Sequence, residues 1–168
     1  MKRLIITAAA LASLFSAATL DIASAGSRTV VNQSGWGNGA AISQDGSSSV
    51  IFQTQRGRRN DVRTIQKGNR NYSDTFQRGR SNRAFTDQLG ARNEAVIGQE
   101  GNRNYGEIIQ TGRGNIAGAA QMGSDNEAMI EQSGSNNAAA TIQVGSGQST
   151  SIVQNGGNNI SVVIQGRR

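Results

Sequence analysis

From residue 27 onward, the chain is a series of short segments in which two sets of residues alternate, one of them uncharged. Every second residue of a segment belongs to one set: Asn first, then two small or β-branched residues, then Gln, as in Asn93, Ala95, Ile97 and Gln99. Alternation with a period of two is typical of a β-strand with one buried face. The pattern therefore predicts a succession of short strands, each turning one face inward.

The segments recur with a fixed period. Thirteen glutamines follow one another at a spacing of 11 residues, and the first twelve are each followed two residues later by glycine. We assign the glutamines to a structural ladder: Gln33, Gln44, Gln55, Gln66, Gln77, Gln88, Gln99, Gln110, Gln121, Gln132, Gln143, Gln154 and Gln165. A spacing of 11 residues that is kept through thirteen segments predicts one repeat array over residues 27–165.

A second ladder precedes the first by six residues in each repeat. It consists of ten asparagines: Asn38, Asn60, Asn71, Asn82, Asn93, Asn104, Asn115, Asn126, Asn137 and Asn159. Ser27, Ser49 and Gln148 occupy the other three places. We expect both sets of amides to stack and to hydrogen-bond along columns, as in amyloid ladders.

Charge separates the two faces of each strand. The thirteen repeats supply 52 positions of the Asn-Gln parity, and none is charged, although residues 26–168 carry 15 Lys+Arg and 10 Asp+Glu. This face is therefore predicted to be buried. The opposite parity holds many of the charges and five aromatic residues: Phe52, Tyr72, Phe76, Phe85 and Tyr105.

The four residues after each glutamine are predicted to form a turn, as in residues 45–48, with glycine where a positive φ is needed. A helix is a poor alternative because the glycine content is high and apolar a/d positions are absent.

Two strands and two turns then form one 22-residue coil, with residue i above i+22 at about 4.8 Å. The predicted fold is all-β: an amyloid-like β-solenoid of 13 strand-turn repeats of 11 residues, two strands per coil. Folding back after Gln99 should place Ile97 against Gly106, and Ala95 against Ile108.

The first 25 residues have the layout of a secretory signal peptide. Lys2 and Arg3 precede an uncharged, largely apolar run over residues 4–15, and residues 23–25 (Ala-Ser-Ala) form a small-residue cleavage pattern. We therefore predict a leader over residues 1–25 and a repeat domain over residues 26–168. The leader predicts secretion.

Composition argues against catalysis. The chain has no Cys, Pro or His, which removes disulfides, the commonest general base and the commonest metal ligands. A retaining glycosidase needs two carboxyl groups about 5 Å apart, but Asp61 stacks with Arg83 and Glu107 with Met129. We predict no enzyme activity, no cofactor, no metal and no small-molecule substrate.

Arginines cluster between residues 56 and 83. The predicted register stacks Arg56 with Arg78 and Arg58 with Arg80, where like charges repel. Two interpretations stay open: gatekeepers that slow premature aggregation, or a patch that binds anionic polysaccharide, lipopolysaccharide or DNA. The register also predicts four attractive pairs: Asp45–Lys67, Asp61–Arg83, Arg78–Glu100 and Arg103–Asp125.

The last strand, residues 159–165, is apolar on both faces. Ile160, Val162 and Ile164 point outward, and Val163 points inward. An open strand edge offers unpaired backbone groups to another chain, so we predict a docking edge here.

The repeat resembles that of the curlins, Ser/Asn-x5-Gln-x-Gly-x2-Asn-x5-Gln, which here reads Asn60-x5-Gln66-x-Gly68-x2-Asn71-x5-Gln77. The resemblance covers nearly all of residues 26–168. It implies a subunit of curli, the adhesive amyloid fibre of bacterial biofilms, which is exported through the periplasm and outer membrane and polymerises at the cell surface. The implied partners are further copies of the chain, a second curlin subunit and the outer-membrane export machinery.

Two features bear on this resemblance. The curlin leader and repeats are usually separated by a short segment used in export, whereas here Ser27 follows the predicted cleavage site almost at once. The basic chain ending in Arg167 and Arg168 is more similar to the curlin nucleator than to the major subunit. The alternative function is a monomeric secreted β-solenoid that acts as a surface-display or anion-binding and polysaccharide-binding module.

Overall fold

The computed structural model describes residues 18–20 and 26–166, and this part of the chain is built from strands. A short strand, β1, is followed by one strand for each of the thirteen repeats. The strands are β1 (Ala18–Leu20), β2 (Arg28–Trp36), β3 (Gly39–Asp45), β4 (Val50–Arg58), β5 (Asp61–Asn69), β6 (Tyr72–Arg80), β7 (Arg83–Ala91), β8 (Glu94–Asn102), β9 (Tyr105–Arg113), β10 (Ile116–Ser124), β11 (Glu127–Ser135), β12 (Ala138–Ser146), β13 (Ser149–Gly157) and β14 (Ile160–Gly166).

The strands form two parallel sheets that the chain visits alternately. The odd sheet has the order β1-β3-β5-β7-β9-β11-β13, and the even sheet has the order β14-β12-β10-β8-β6-β4-β2. Each residue pairs with the one 22 positions later, as Gln99 does with Gln121. The predicted β-solenoid with two strands per 22-residue coil is confirmed.

The core lies between the two sheets and is one side chain thick on each side. In the middle coils the inward positions are closed to solvent, and Ile97 and Ile108 are each at most 1% exposed. A Cβ atom added to Gly106 would lie 3.1 Å from Cγ2 of Ile97. The predicted opposition of Ile97 and Gly106 is thus confirmed, because a small residue leaves room for the larger one that faces it.

The predicted four-residue turn is wrong in its extent. Strands continue through the glutamine to the third residue beyond it, as β4 does past Gln55, and only two residues, here Arg59 and Asn60, separate it from β5. The reason is the parallel register: every coil bends at the same place, so backbone hydrogen bonds to the next coil continue around the bend.

Two positions in each bend have a positive φ. The first is the predicted glycine, represented by Gly101 with φ 124°. A Cβ atom there would lie 1.9 Å from the carbonyl oxygen of Gly123 in the next coil, so only glycine fits the stacked bend. The second lies directly before each asparagine and is often not glycine, as at Arg59 (φ 54°) and Asp125 (φ 58°). The sequence pattern did not predict this second position.

The predicted leader lies almost entirely outside the described residues. Of residues 1–25 the structure describes only β1, which pairs with residues 40–42 of β3. Arg167 and Arg168 also lie outside the described residues. Within the described ranges, no helix is long and apolar enough to cross a membrane.

Candidate functional site

Glutamine side chains form two continuous columns, one along each sheet. Each Nε2 donates to Oε1 of the glutamine 22 residues later, as from Gln77 to Gln99 and from Gln99 to Gln121, both at 2.8 Å. The odd-sheet column is joined in the same way, with Gln88 donating to Gln110 at 2.8 Å. The structure therefore brings all thirteen predicted glutamines into two ladders, which are buried except at Gln33 and Gln165.

From Gln55 onward, each glutamine of the columns also ties the two sheets together. Nε2 of Gln99 donates a second hydrogen bond, at 2.9 Å, to the backbone carbonyl of Arg83, the first residue of β7. The same bond recurs 11 residues later from Gln110 to Glu94, also at 2.9 Å. Both amide protons of a column glutamine are thus used, which removes the cost of burying them.

The asparagine columns are linked mainly through the backbone. The N–H of Asn104 donates to Oδ1 of Asn82 at 3.1 Å, and Nδ2 of Asn104 donates to the carbonyl of Gly123 at 3.1 Å. Direct bonds between asparagine amides occur at some links only, such as the 3.2 Å bond from Asn104 to Asn82. The shorter side chain sits beside the bend, so it holds the next bend in place as well as its own neighbour.

Serine and glutamine fill the irregular places of these columns. Ser49 Oγ accepts the N–H of Asn71 at 3.1 Å and donates to the carbonyl of Gly68 at 3.3 Å, as an asparagine does. Gln148 receives its link through its backbone N–H, which donates to Oδ1 of Asn126 at 3.2 Å. Its own Oε1 is buried without a partner.

The columns have a direction. In the glutamine columns each amide donates to the later glutamine, so Gln33 begins the even-sheet column by donating to Gln55, and Gln165 ends it by accepting from Gln143 at 3.0 Å. Gln165 then donates to the carbonyl of Ser149, with no later glutamine in the described chain to receive its second proton. One end of the solenoid offers an amide oxygen and the other an amide N–H.

The strand β14 closes the even sheet. Its outward residues Ile160, Val162 and Ile164 are 79%, 64% and 71% exposed, and the inward Val163 packs against the core. Among the described strands, β14 pairs only with β12, so its other edge has no strand beside it. The residues predicted as a docking edge thus lie on a strand that is open on one side.

The predicted arginine stacks lie on exposed positions of the even sheet. Arg56 is the register partner of Arg78, and Arg58 of Arg80. At one end of the first column, Arg78 Nη1 lies 3.5 Å from Oε1 of Glu100, which offsets part of the repulsion.

Of the four expected attractive pairs, two form ion pairs. These are Arg78–Glu100 and Arg103–Asp125, the latter bidentate with both N–O distances at 2.7 Å. Asp45 and Asp61 stand in register with Lys67 and Arg83 but lie outside ion-pairing distance. The Asp61 carboxylate leans the other way, over Gly39, where a Cβ atom would lie 2.9 Å from it.

Titratable groups with shifted pKa values lie on the outer faces, and four of them form two pairs, Tyr72 with Asp74 and Arg103 with Asp125. The hydrogen bond from Arg103 lowers the pKa of Asp125. Burial, with a 2.7 Å hydrogen bond to Glu107, raises the pKa of Tyr105 to about 12. In the described residues, no group of three His, Cys, Asp or Glu side chains is placed to hold a metal ion.

Comparison with known proteins gives one family match. The family model for the curlin associated repeat matches residues 68–101, 101–134 and 123–156, which together cover residues 68–156, more than half of the 168-residue chain. No curated protein matches the chain.

Proposed function

The chain belongs to the curlin repeat family, and on that premise we propose that it is a structural subunit of an extracellular curli-type amyloid fibre. The family is associated with extracellular curli fibres, and the repeat together with the β-solenoid indicates a structural protein. In this proposal the fibre serves surface adhesion and the biofilm matrix, and the mature subunit begins after a leader over residues 1–25.

The observation that carries the proposal is the direction of the glutamine columns. One end of the even-sheet column offers Oε1 of Gln33, and the other offers an N–H of Gln165. A second copy that stacks on the first continues both the backbone ladder and the amide ladder, and it covers the half-exposed inward residues of the end coils. Such repetition is how amyloid achieves its stability.

The growth site in this proposal is the open edge of β14. Its backbone groups are available on one side, and its residues Ile160, Val162 and Ile164 are apolar and exposed. We assign this edge to the next subunit or to a second curlin partner, with the outer-membrane export machinery acting before assembly.

The arginine stacks fit a gatekeeping role. Arg56, Arg58, Arg78 and Arg80 form two repelling columns on one sheet, so they slow assembly until the chain has left the cell. Their exposure also favours a second candidate function, a monomeric surface module that binds an anionic polysaccharide, lipopolysaccharide or DNA through these side chains. The basic charge of the chain keeps a nucleator role open within the first candidate.

Seeded fibre growth tests this proposal. Fibres of the full-length chain and of a variant that lacks residues 158–168 are added to fresh full-length monomer, and growth is followed by thioflavin fluorescence. We expect the truncated seeds to retain β-structure by circular dichroism but to lose much of their templating activity. Undiminished seeding would move the growth site to the β2 end, and a full-length chain that stays monomeric would favour the second candidate.

A further inference from the structure

The outer face of the even sheet changes character toward the end of the stack. Over β10, β12 and β14 its outward positions carry no charged residue. We call this surface the apolar face and define it by Ile116, Met122, Ile142, Val144, Val162 and Ile164, whose exposed fractions run from 38% to 71%. A contiguous exposed apolar surface of this kind marks an interaction site.

The other side of the same coils is different. On the odd sheet, β9 and β11 present Glu107, Glu127 and Glu131 outward, and β9 also presents Arg113. The apolar face is therefore a property of one sheet and is distinct from the backbone edge at which the stack grows.

The apolar face has relief that is self-complementary. Along one column the register partners are Gly118, Ala140 and Val162, and along the next they are Ala120, Ile142 and Ile164, so in these two columns the side chains grow larger from β10 toward β14. A Cβ atom added to Gly118 would meet nothing within 4 Å, which leaves a depression at β10 beside the ridge at β14.

We propose that a second copy of this chain packs on the apolar face with its stack antiparallel to the first. In this arrangement β10 lies over the β14 of the other copy and β12 lies over its equivalent. Val162 then fills the space above Gly118, twice in each pair. Two β-sheets packed in this way lie about 10 Å apart and form a dry interface of the steric-zipper kind.

Charge favours the antiparallel arrangement of such a pair. The arginine stacks Arg56–Arg78 and Arg58–Arg80 lie on the same sheet but at the opposite end of the stack. In a pair of single copies, antiparallel overlap of the apolar faces keeps the two sets of arginines apart, whereas a parallel pair would set arginine against arginine. A fluid lipid surface would need neither the ridge nor the depression.

The size of the face indicates a weak contact that repetition strengthens. Three strands at about 4.8 Å spacing and about 3.3 Å per residue cover roughly 400 Å² on each copy, half of a standard protein interface. Single pairs are therefore transient, and many pairs along two fibres act together. In two such fibres the same overlap brings β4 of one fibre over β6 of the other, so the arginines there oppose the pairing unless salt screens them. The inference rests on the proposed fibre for this gain, but the contact itself can be measured separately.

Cross-linking tests the arrangement cleanly because the chain has no cysteine. Full-length Gly118→Cys and Val162→Cys proteins are mixed and treated with a short bismaleimide. We expect a covalent dimer from the mixture and none from Ser151→Cys, an exposed position of the odd sheet used as control. No dimer from the mixture, or an equal yield from the control, overturns the proposal, and a dimer from Gly118→Cys alone overturns the antiparallel order.

A charge placed on the face gives a second readout. Ile142→Lys should abolish the side-by-side pairing of fibres in electron micrographs, whereas Val153→Lys, on the odd sheet and 58% exposed, should leave it intact. Added salt should increase wild-type pairing because it screens the arginines. Pairing that survives Ile142→Lys overturns the proposal, as does a face that binds phosphatidylglycerol vesicles but gives no cross-link. Thioflavin growth, measured in parallel, tests the fibre itself.

Discussion

Two parts of one solenoid, strands β4 to β7 and strands β8 to β11, share a backbone but differ in what fills it. The inward positions between Asn and Gln in the first part are Ile51, Gln53, Val62, Thr64, Ser73, Thr75, Ala84 and Thr86. In the second part they are Ala95, Ile97, Gly106, Ile108, Ala117, Ala119, Ala128 and Ile130. The first core is mostly polar and the second contains no polar side chain.

The charge on the outer faces also differs between the two parts. Residues 50–91 carry nine Lys+Arg against three Asp+Glu, whereas residues 94–135 carry two against six. The register and the glutamine columns nevertheless run unchanged through both parts. The columns and the glycine bends therefore define the fold, and the inward side chains between them determine the local stability of each part.

Buried polar atoms without partners make the first part the weaker one. Gln53 Oε1, Ser73 Oγ and Thr75 Oγ1 are buried there and accept or donate no hydrogen bond. Each such atom costs about 1–3 kcal/mol relative to a partnered one. We expect hydrogen exchange to be faster in β4 to β7 than in β8 to β11.

The largest effect should follow from a methyl group in a bend. Gly101→Ala places Cβ against the carbonyl of Gly123 and also holds alanine at φ 124°, so we expect neither folding nor fibre growth. Gly98→Ala, in the same strand, meets nothing within 4 Å and serves as control. Circular dichroism and thioflavin growth measure both, and a folded Gly101→Ala protein would show that the bend does not define the coil.

A break in a glutamine column should rank second. Gln99→Ala leaves Nε2 of Gln77, Oε1 of Gln121 and the carbonyl of Arg83 without their partner. At about 1–3 kcal/mol for each buried unpaired group, assembly should slow strongly. Arg92→Ala, an exposed bend position, should change the thioflavin curve little, and equal effects would count against the ladder as the organising feature.

Two threonines in the polar part should respond with opposite signs. Thr75→Val removes a buried hydroxyl that has no partner, so the free energy of unfolding should rise by about 1 kcal/mol. Thr64→Val removes the acceptor of the 2.9 Å bond from Gln53 Nε2 and should lower it by a similar amount, about 1 kcal/mol. Denaturant melts of the two variants measure this, and a shift of the same sign in both would contradict the polar-core account.

The sequence predicts the fold well because the 11-residue period fixes the stacking partner of every residue at once. The second position with a positive φ in each bend could not be predicted, because residues such as Arg59 and Asp125 occupy it instead of glycine. The direction in which an outward side chain points could not be predicted either. The register places Asp61 beside Arg83, but only the structure shows that the Asp61 carboxylate leans over Gly39. The asparagine links to the backbone depend on the path of the bend, which the pattern does not specify.

Removing the arginine stacks should have a moderate effect. Replacing Arg56, Arg58, Arg78 and Arg80 with serine removes two repelling columns, so thioflavin-monitored assembly should speed up and lose much of its response to added salt. If the stacks bind an anionic surface instead, attachment to immobilised anionic polysaccharide should weaken while the assembly rate stays the same. The first result would show that the charge difference between the two parts of the solenoid controls assembly. The second result would show that it does not.

The smallest effect should come from the exposed pair Arg103–Asp125. The guanidinium lowers the pKa of Asp125, so the stabilisation is present above the unfolded-state pKa of an aspartate. It is lost as pH falls through the lowered pKa of the folded state. Asp125→Asn should therefore weaken the fold slightly at neutral pH and not at all in strong acid, as followed by thermal melts at both pH values.

The central claim is that coils of separate copies stack as coils within one copy do. Fibre diffraction of the purified chain over residues 26–168 tests it most directly. We expect fibres with a meridional reflection at about 4.8 Å from the stacked strands and an equatorial one near 10 Å from the two sheets. A β-rich protein that stays monomeric at the same concentration, with no fibre to diffract, would contradict the account.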